Sequence, residues 1–160
     1  MKKSLLIASI ALLSLAACNM NSIRGNGHVI SKTFAEKGFN EIEVSSAMNV
    51  YLKQGPDYSI KIDAEENLLS LMKVHTEGDK LVIGFKEKVS INPTKDIKVY
   101  ITAPDFRNLD ASGACNFISQ GNIKGNTLKL DLSGSSNAQL DVALNKLEVD
   151  VSGTSEIALK

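Results

Sequence analysis

Three Ser-Gly pairs are the residues that most invite a chemical reading: Ser112-Gly113, Ser133-Gly134 and Ser152-Gly153. A serine becomes a nucleophile when a histidine base lies within reach. The chain has only His28 and His75, and none of the three serines sits in a Gly-x-Ser-x-Gly elbow. The pairs therefore read as corners of a repeat, with serine bonding backbone and glycine supplying the turn's φ. No catalytic group is expected.

Other chemistry-bearing types recur at the same repeat positions. Asp110, Asp131 and Asp150 align, with Glu43 at the matching place in a weaker copy. Alternation puts these carboxylates outside as a ladder. Two of them one strand apart repel by only ~0.9 kcal/mol in water, so solvent tolerates the column. Calcium takes oxygen ligands of this kind, but the Asp-rich nonapeptide of calcium-binding β-rolls is missing. The histidines lack the companions that metal spacing requires. Neither a metal nor a cofactor is expected. Asn116 and Asn137 align as an amide ladder that Glu156 would interrupt. Cys115 stands where the other copies have Ser136 and Ser155, and nothing basic lies nearby. It reads as a small stacked side chain rather than a thiolate.

These positions need strands to hold them. Alternation of apolar and polar residues dominates the chain, as in Ile42-Glu43-Val44, Leu128-Lys129-Leu130-Asp131-Leu132 and Leu147-Glu148-Val149-Asp150-Val151. Asp63 to Met72 is the one stretch that suits a short helix or turn. Gly55-Pro56-Asp57, Glu77-Gly78-Asp79 and Asn92-Pro93-Thr94 punctuate the strands. The Ser-Gly pairs lie 21 and 19 residues apart, while the weaker copy at Ile42–Val50 lies 67 residues upstream of its counterpart. That distance makes it no adjacent turn of a regular repeat. A repeat of about 20 residues predicts an all-β fold: a single-stranded right-handed parallel β-helix, or solenoid. Leu109, Leu130 and Val149 form one buried column in this reading, and Ala111, Leu132 and Val151 the next. An antiparallel β-sandwich is the alternative.

The first residues read as an address. Lys2 and Lys3, the apolar run from Leu5 to Leu13 and the ending Leu15-Ala16-Ala17-Cys18 have the order of an export signal. The run is too short to span a bilayer. Residues 1–17 are thus expected to be a signal peptide, 18–27 a polar tether and 28–160 a single β domain. The leader holds two lysines and no acid, so the remainder carries two more acids than bases. Nucleic acid is not an expected partner without a basic stripe. There is no Trp and aromatics are few, which leaves little for sugar stacking. The chain ends at Ile157-Ala158-Leu159-Lys160, within a strand-like run. Because solenoids need an end cap, this reads as an edge that is incomplete, self-associating or covered by a partner.

Leu15-Ala16-Ala17-Cys18 resembles a bacterial lipobox, which implies lipid on Cys18 and a membrane as partner. Asn19 is not the aspartate of inner-membrane retention, so the resemblance implies the outer membrane, facing the periplasm, with surface exposure left open. The leader, the Ser-Gly motifs, Ile97–Asp105 and Gly121-Asn122-Ile123 together resemble the head GIN domain lipoproteins of Bacteroides-type bacteria, also labelled auto-transporter adhesins. The resemblance covers roughly residues 24–160. It implies a non-enzymatic binding, adhesion or assembly module with a glycan or protein ligand, and it carries no residue-level site. A polysaccharide-active β-helix enzyme and a structural component capped by a partner are the competing functions.

Overall fold

The computed structural model describes residues 22–160; the leader and Cys18 lie outside the described residues. The chain forms β1 (Ile23–Arg24), β2 (Val29–Phe34), β3 (Glu41–Ser46), β4 (Asn49–Gln54) and β5 (Ser59–Glu65), then the short helix α1 (Glu66–Leu69). There follow β6 (Met72–Glu77), β7 (Lys80–Phe85), β8 (Ile91–Asn92), β9 (Lys98–Ala103), β10 (Asn108–Gly113), β11 (Asn116–Gly134), β12 (Asn137–Gly153) and β13 (Glu156–Leu159). The fold is all-β. The helix falls inside the Asp63–Met72 stretch, where Leu68 and Leu69 are buried.

The main sheet runs β2-β5-β9-β4-β11-β10-β3-β7-β6, with β12 added on β11 and β13 on β12. It curls into a nearly closed, barrel-like surface of mixed strand order. A uniform parallel helix over 28–160 is therefore not what forms, and neither is an antiparallel sandwich. The reason lies in the connections. Glu77 pairs Lys80 across a two-residue turn, and a tight turn of that kind imposes an antiparallel β6–β7 pair. Strand β5 runs antiparallel to both β2 and β9, and β9 in turn runs parallel to β4.

The Ser-Gly copies pair in parallel and in register. Leu109 faces Leu130, which faces Val149; Ala111 faces Leu132, which faces Val151. The weaker copy does stack next to the others: Ile42 faces Leu109 and Ser45 faces Ser112. Sequence separation misleads here because residues 55–107 form an excursion that returns to the same stack. The 21- and 19-residue spacings are reconciled at one irregularity between Ile118 and Asn122, where Gly121 has a φ of 107°.

The core sits between the two runs of strands that meet at the corner. Leu81, Ile42, Leu109 and Leu130 make one apolar column, and Val99, Val50, Phe117 and Ala138 make another. All are buried. The last rung differs: Val149 and Val151 are 48% and 43% exposed, whereas Leu130 and Leu132 are 0% and 2%.

Candidate binding surface

The corner is where the repeat shows its chemistry. Gly113, Gly134 and Gly153 have φ of 100°, 79° and 90°, and Ser46 has a φ of 90° in the same column. A Cβ on Gly113 would meet the Ser46 carbonyl oxygen at 2.9 Å, and one on Gly134 or Gly153 would collide with the previous corner's carbonyl. Those carbonyls accept from the next rung: Ala114 N–H donates to Ser46 O at 3.0 Å, Ser135 N–H to Gly113 O at 2.7 Å and Thr154 N–H to Gly134 O at 2.8 Å. Glycine is thus set by close approach as well as by φ. The ladder of β3 with β7 stops at Val44, so Ser46 opens the corner column, which accounts for a side chain being accommodated there.

The corner serines lie along one line, Ser45, Ser112, Ser133 and Ser152. Ser133 Oγ donates to the Ala111 carbonyl at 3.3 Å. His28 and His75 lie elsewhere, against Glu66 at 3.3 Å and Glu77 at 2.8 Å. Cys115 is buried, and its Sγ donates to the Ser46 carbonyl at 2.9 Å. Burial pushes its thiol up to about 11. Ser136, in the same column one rung on, bonds the Ser133 carbonyl at 3.0 Å.

Two outward ladders flank the corner. On the strand before it, Glu43, Asp110, Asp131 and Asp150 form one line of carboxylates. Lysines relieve their mutual repulsion: Lys80 Nζ lies 2.8 Å from Glu43 and Lys129 Nζ lies 2.6 Å from Asp131. Among the described residues no lysine pairs directly with Asp110. Partial burial first, then the flanking Glu43 and Asp131, raises its carboxyl above the usual aspartate range. Among the described residues no group of three or more His, Cys, Asp or Glu side chains is arranged to hold a metal.

On the strand after the corner, Asn49, Asn116 and Asn137 form an amide ladder. Asn116 Nδ2 donates to Asn49 Oδ1 at 2.8 Å, and Asn137 Nδ2 donates to Asn116 Oδ1 at 3.0 Å. Glu156 ends it with its backbone N–H on Asn137 Oδ1 at 3.0 Å. Asn49 was not placed in this ladder from the sequence, although the weaker copy carries it at the matching position. Beside the amides runs a second outward column, Tyr100, Tyr51, Ile118, Gln139 and Ala158. The two tyrosine rings stack on each other at 5.0 Å, so their faces are turned toward each other rather than outward.

A third constellation has no signature in the sequence. Glu65 is 1% exposed and accepts from Gly27 N–H at 2.6 Å, Thr94 Oγ1 at 2.6 Å and Thr94 N–H at 2.8 Å. The Thr94 hydroxyl above all, aided by the backbone N–H groups of Thr94, Gly27 and Lys95 and opposed by burial, holds its carboxyl down at about 2. A side chain at Gly25 would collide with this carboxylate. Glu65 therefore fastens residues 25–27 to the loop after β8. Asn67 Nδ2 reinforces the contact by donating to the Arg24 carbonyl at 2.8 Å.

A parallel stack of Ser-Gly rungs with paired outward ladders defines a class of repetitive all-β domain, and the comparisons agree. The family model described as "Putative auto-transporter adhesin, head GIN domain" matches residues 38–160, and the chain belongs to that family. It is similar to a solved structure described as a "putative adhesin" from Parabacteroides merdae ATCC 43184, with 26% identity and a TM-score of 0.79 over 86% of this chain and 58% of that one. Solved structures under the same description from Parabacteroides distasonis ATCC 8503 (22% identity, TM-score 0.80, 86% and 59% covered) and Bacteroides fragilis NCTC 9343 (19%, 0.79, 85% and 64%) share the fold. The chain thus spans about three-fifths of the length of these relatives. No curated protein matches it. No helix among the described residues is long and apolar enough to cross a membrane.

Proposed function

We propose that this protein is a non-enzymatic adhesion module, held at the outer membrane by lipid on Cys18 and presenting its outward ladders to a ligand. Its repeat region is read as the coils of a right-handed β-helix, which the parallel, in-register pairing of successive copies supports. The observation that carries the function is the regularity of the outward surface. Side chains of one type recur from rung to rung on strands whose other face is a packed core, so the polar groups are held in fixed positions. Membership of an adhesin family supports the same reading.

Two measurements on the full chain test it. Expressed in a Bacteroides-type host with labelled palmitate, the wild type is expected to take up label and sediment with membranes, and Cys18→Ser to do neither. Bacteria displaying the protein are expected to adhere to a mucin- or glycan-coated surface, and substituting the outward Ser, Asp and Asn residues is expected to reduce that adherence. Adherence that is unchanged by all those substitutions overturns the binding reading.

A further inference from the structure

We infer that the outward face of β4, β11, β12 and β13 carries a groove for a neutral, hydroxyl-rich oligosaccharide; this rests on the binding-module reading above. Three adjoining depressions follow the amide ladder. The first, about 320 Å³, lies between the corner and the 93–97 loop and reaches Asn49 and Asn116. The second, about 280 Å³, shares Asn116 and adds Asn137, Gln139 and Glu156. The third, about 260 Å³, shares Gln139 and runs along the strands to Lys160. The groove thus crosses several rungs and then turns along them.

Its chemistry matches sugars in four respects. Asn116 and Asn137 each spend one N–H on the rung before them and keep a second N–H, so donors and acceptors stand already oriented for hydroxyls that both give and accept. The amides repeat at the rung spacing of ~4.8 Å, close to the advance of one pyranose in an extended glycan. Ile118, which lines the second and third depressions, offers apolar surface to the C–H side of a sugar in place of a flat aromatic platform. Charges in the groove are of both signs, with Lys95 and Asp96 at one end and Glu156, Asp141 and Lys160 at the other, so nothing selects a polyanion.

The test is titration calorimetry on the full chain with neutral cello-, manno- and chito-oligosaccharides, and with oligogalacturonate as the acidic comparator. Gln139 and Glu156 are exposed, so the double variant Gln139→Ala/Glu156→Gln is expected to keep the wild-type urea midpoint. It should weaken binding of a neutral oligosaccharide by about tenfold, the worth of one or two neutral hydrogen bonds. Lys73→Ala, at an exposed position on β6 at the far edge of the sheet, is expected to bind as the wild type does, and salt to have little effect. Failure of the wild type to bind any neutral oligosaccharide, undiminished binding by the double variant, or binding of oligogalacturonate alone would each overturn the inference. If the wild type binds none of these sugars yet still supports ladder-dependent adherence of whole bacteria, the sugar assignment falls and the adhesion module stands. Loss of both removes both.

Discussion

Single residues decide how closely the rungs can approach. Gly134 combines a φ of 79° with a previous carbonyl where its Cβ would be. Gly134→Ala is therefore expected to destabilise the protein by about 2 kcal/mol or more, from backbone strain plus the displaced rung. Ser46 gives the opposite case. It holds a φ of 90° with a side chain, so Ser46→Gly should stabilise by about 0.5–1 kcal/mol. Urea unfolding midpoints of the two variants check both signs. The glycines were legible because Ser-Gly recurs at a near-constant spacing. Ser46 was not, since nothing local marks a serine that takes a glycine's conformation. The Asp110, Asp131 and Asp150 line was equally legible, because strand alternation and repeat spacing together dictate register. Its raised Asp110 carboxyl was not, because that depends first on how far the neighbouring rungs bury it and then on the carboxylates at either side.

Among the elements, the entry strand shows what sequence patterns miss. Residues 18–27 look like a polar tether, yet Ile23 to Gly27 are bonded to β8, the loop after it and the turn around α1. The hub, Glu65, gathers groups from positions 27, 94 and 95, and no periodicity links positions so far apart. Its pH consequence has a definite sign. The folded carboxyl sits at about 2 against an ordinary 4.5. Its contribution is therefore fully present above pH 4.5 and is lost as pH falls toward 2. Wild type should lose stability across that window, and Glu65→Gln should be weaker at neutral pH with a flatter acid limb. Unfolding midpoints measured against pH, with hydrogen exchange at residues 25–27, read this out. The β6–β7 hairpin could have been expected from Glu77-Gly78-Asp79, a turn compatible only with antiparallel neighbours. The insertion of β9 beside β4 could not, because it depends on where a distant strand docks.

Across the whole molecule, burial falls off toward one end. Leu130 lies between two rungs, while Val149 has a rung on one side only. Leu130→Ala is expected to cost about 2–5 kcal/mol as a cavity between rungs. Val149→Ala, at a half-exposed site, should cost under about 1 kcal/mol. Unfolding midpoints of the two variants give the comparison, and amide protection should decline from β10 to β13 in the same order. Repeat counting found the pairing of the Ser-Gly copies with one another. What it left out was the asymmetry between the ends, since the helix and the antiparallel strands that close the first end carry no Ser-Gly mark. The Glu65 fastening bears on how such a molecule would resist being pulled. If force enters along the chain from the N-terminal side, it meets β1 first, where two short parallel strands and one clamped carboxylate share the tension. The strap is placed to open before the rungs are peeled apart. The strap would work as a mechanical fuse, yielding a few residues of slack while the repeat stack stays intact.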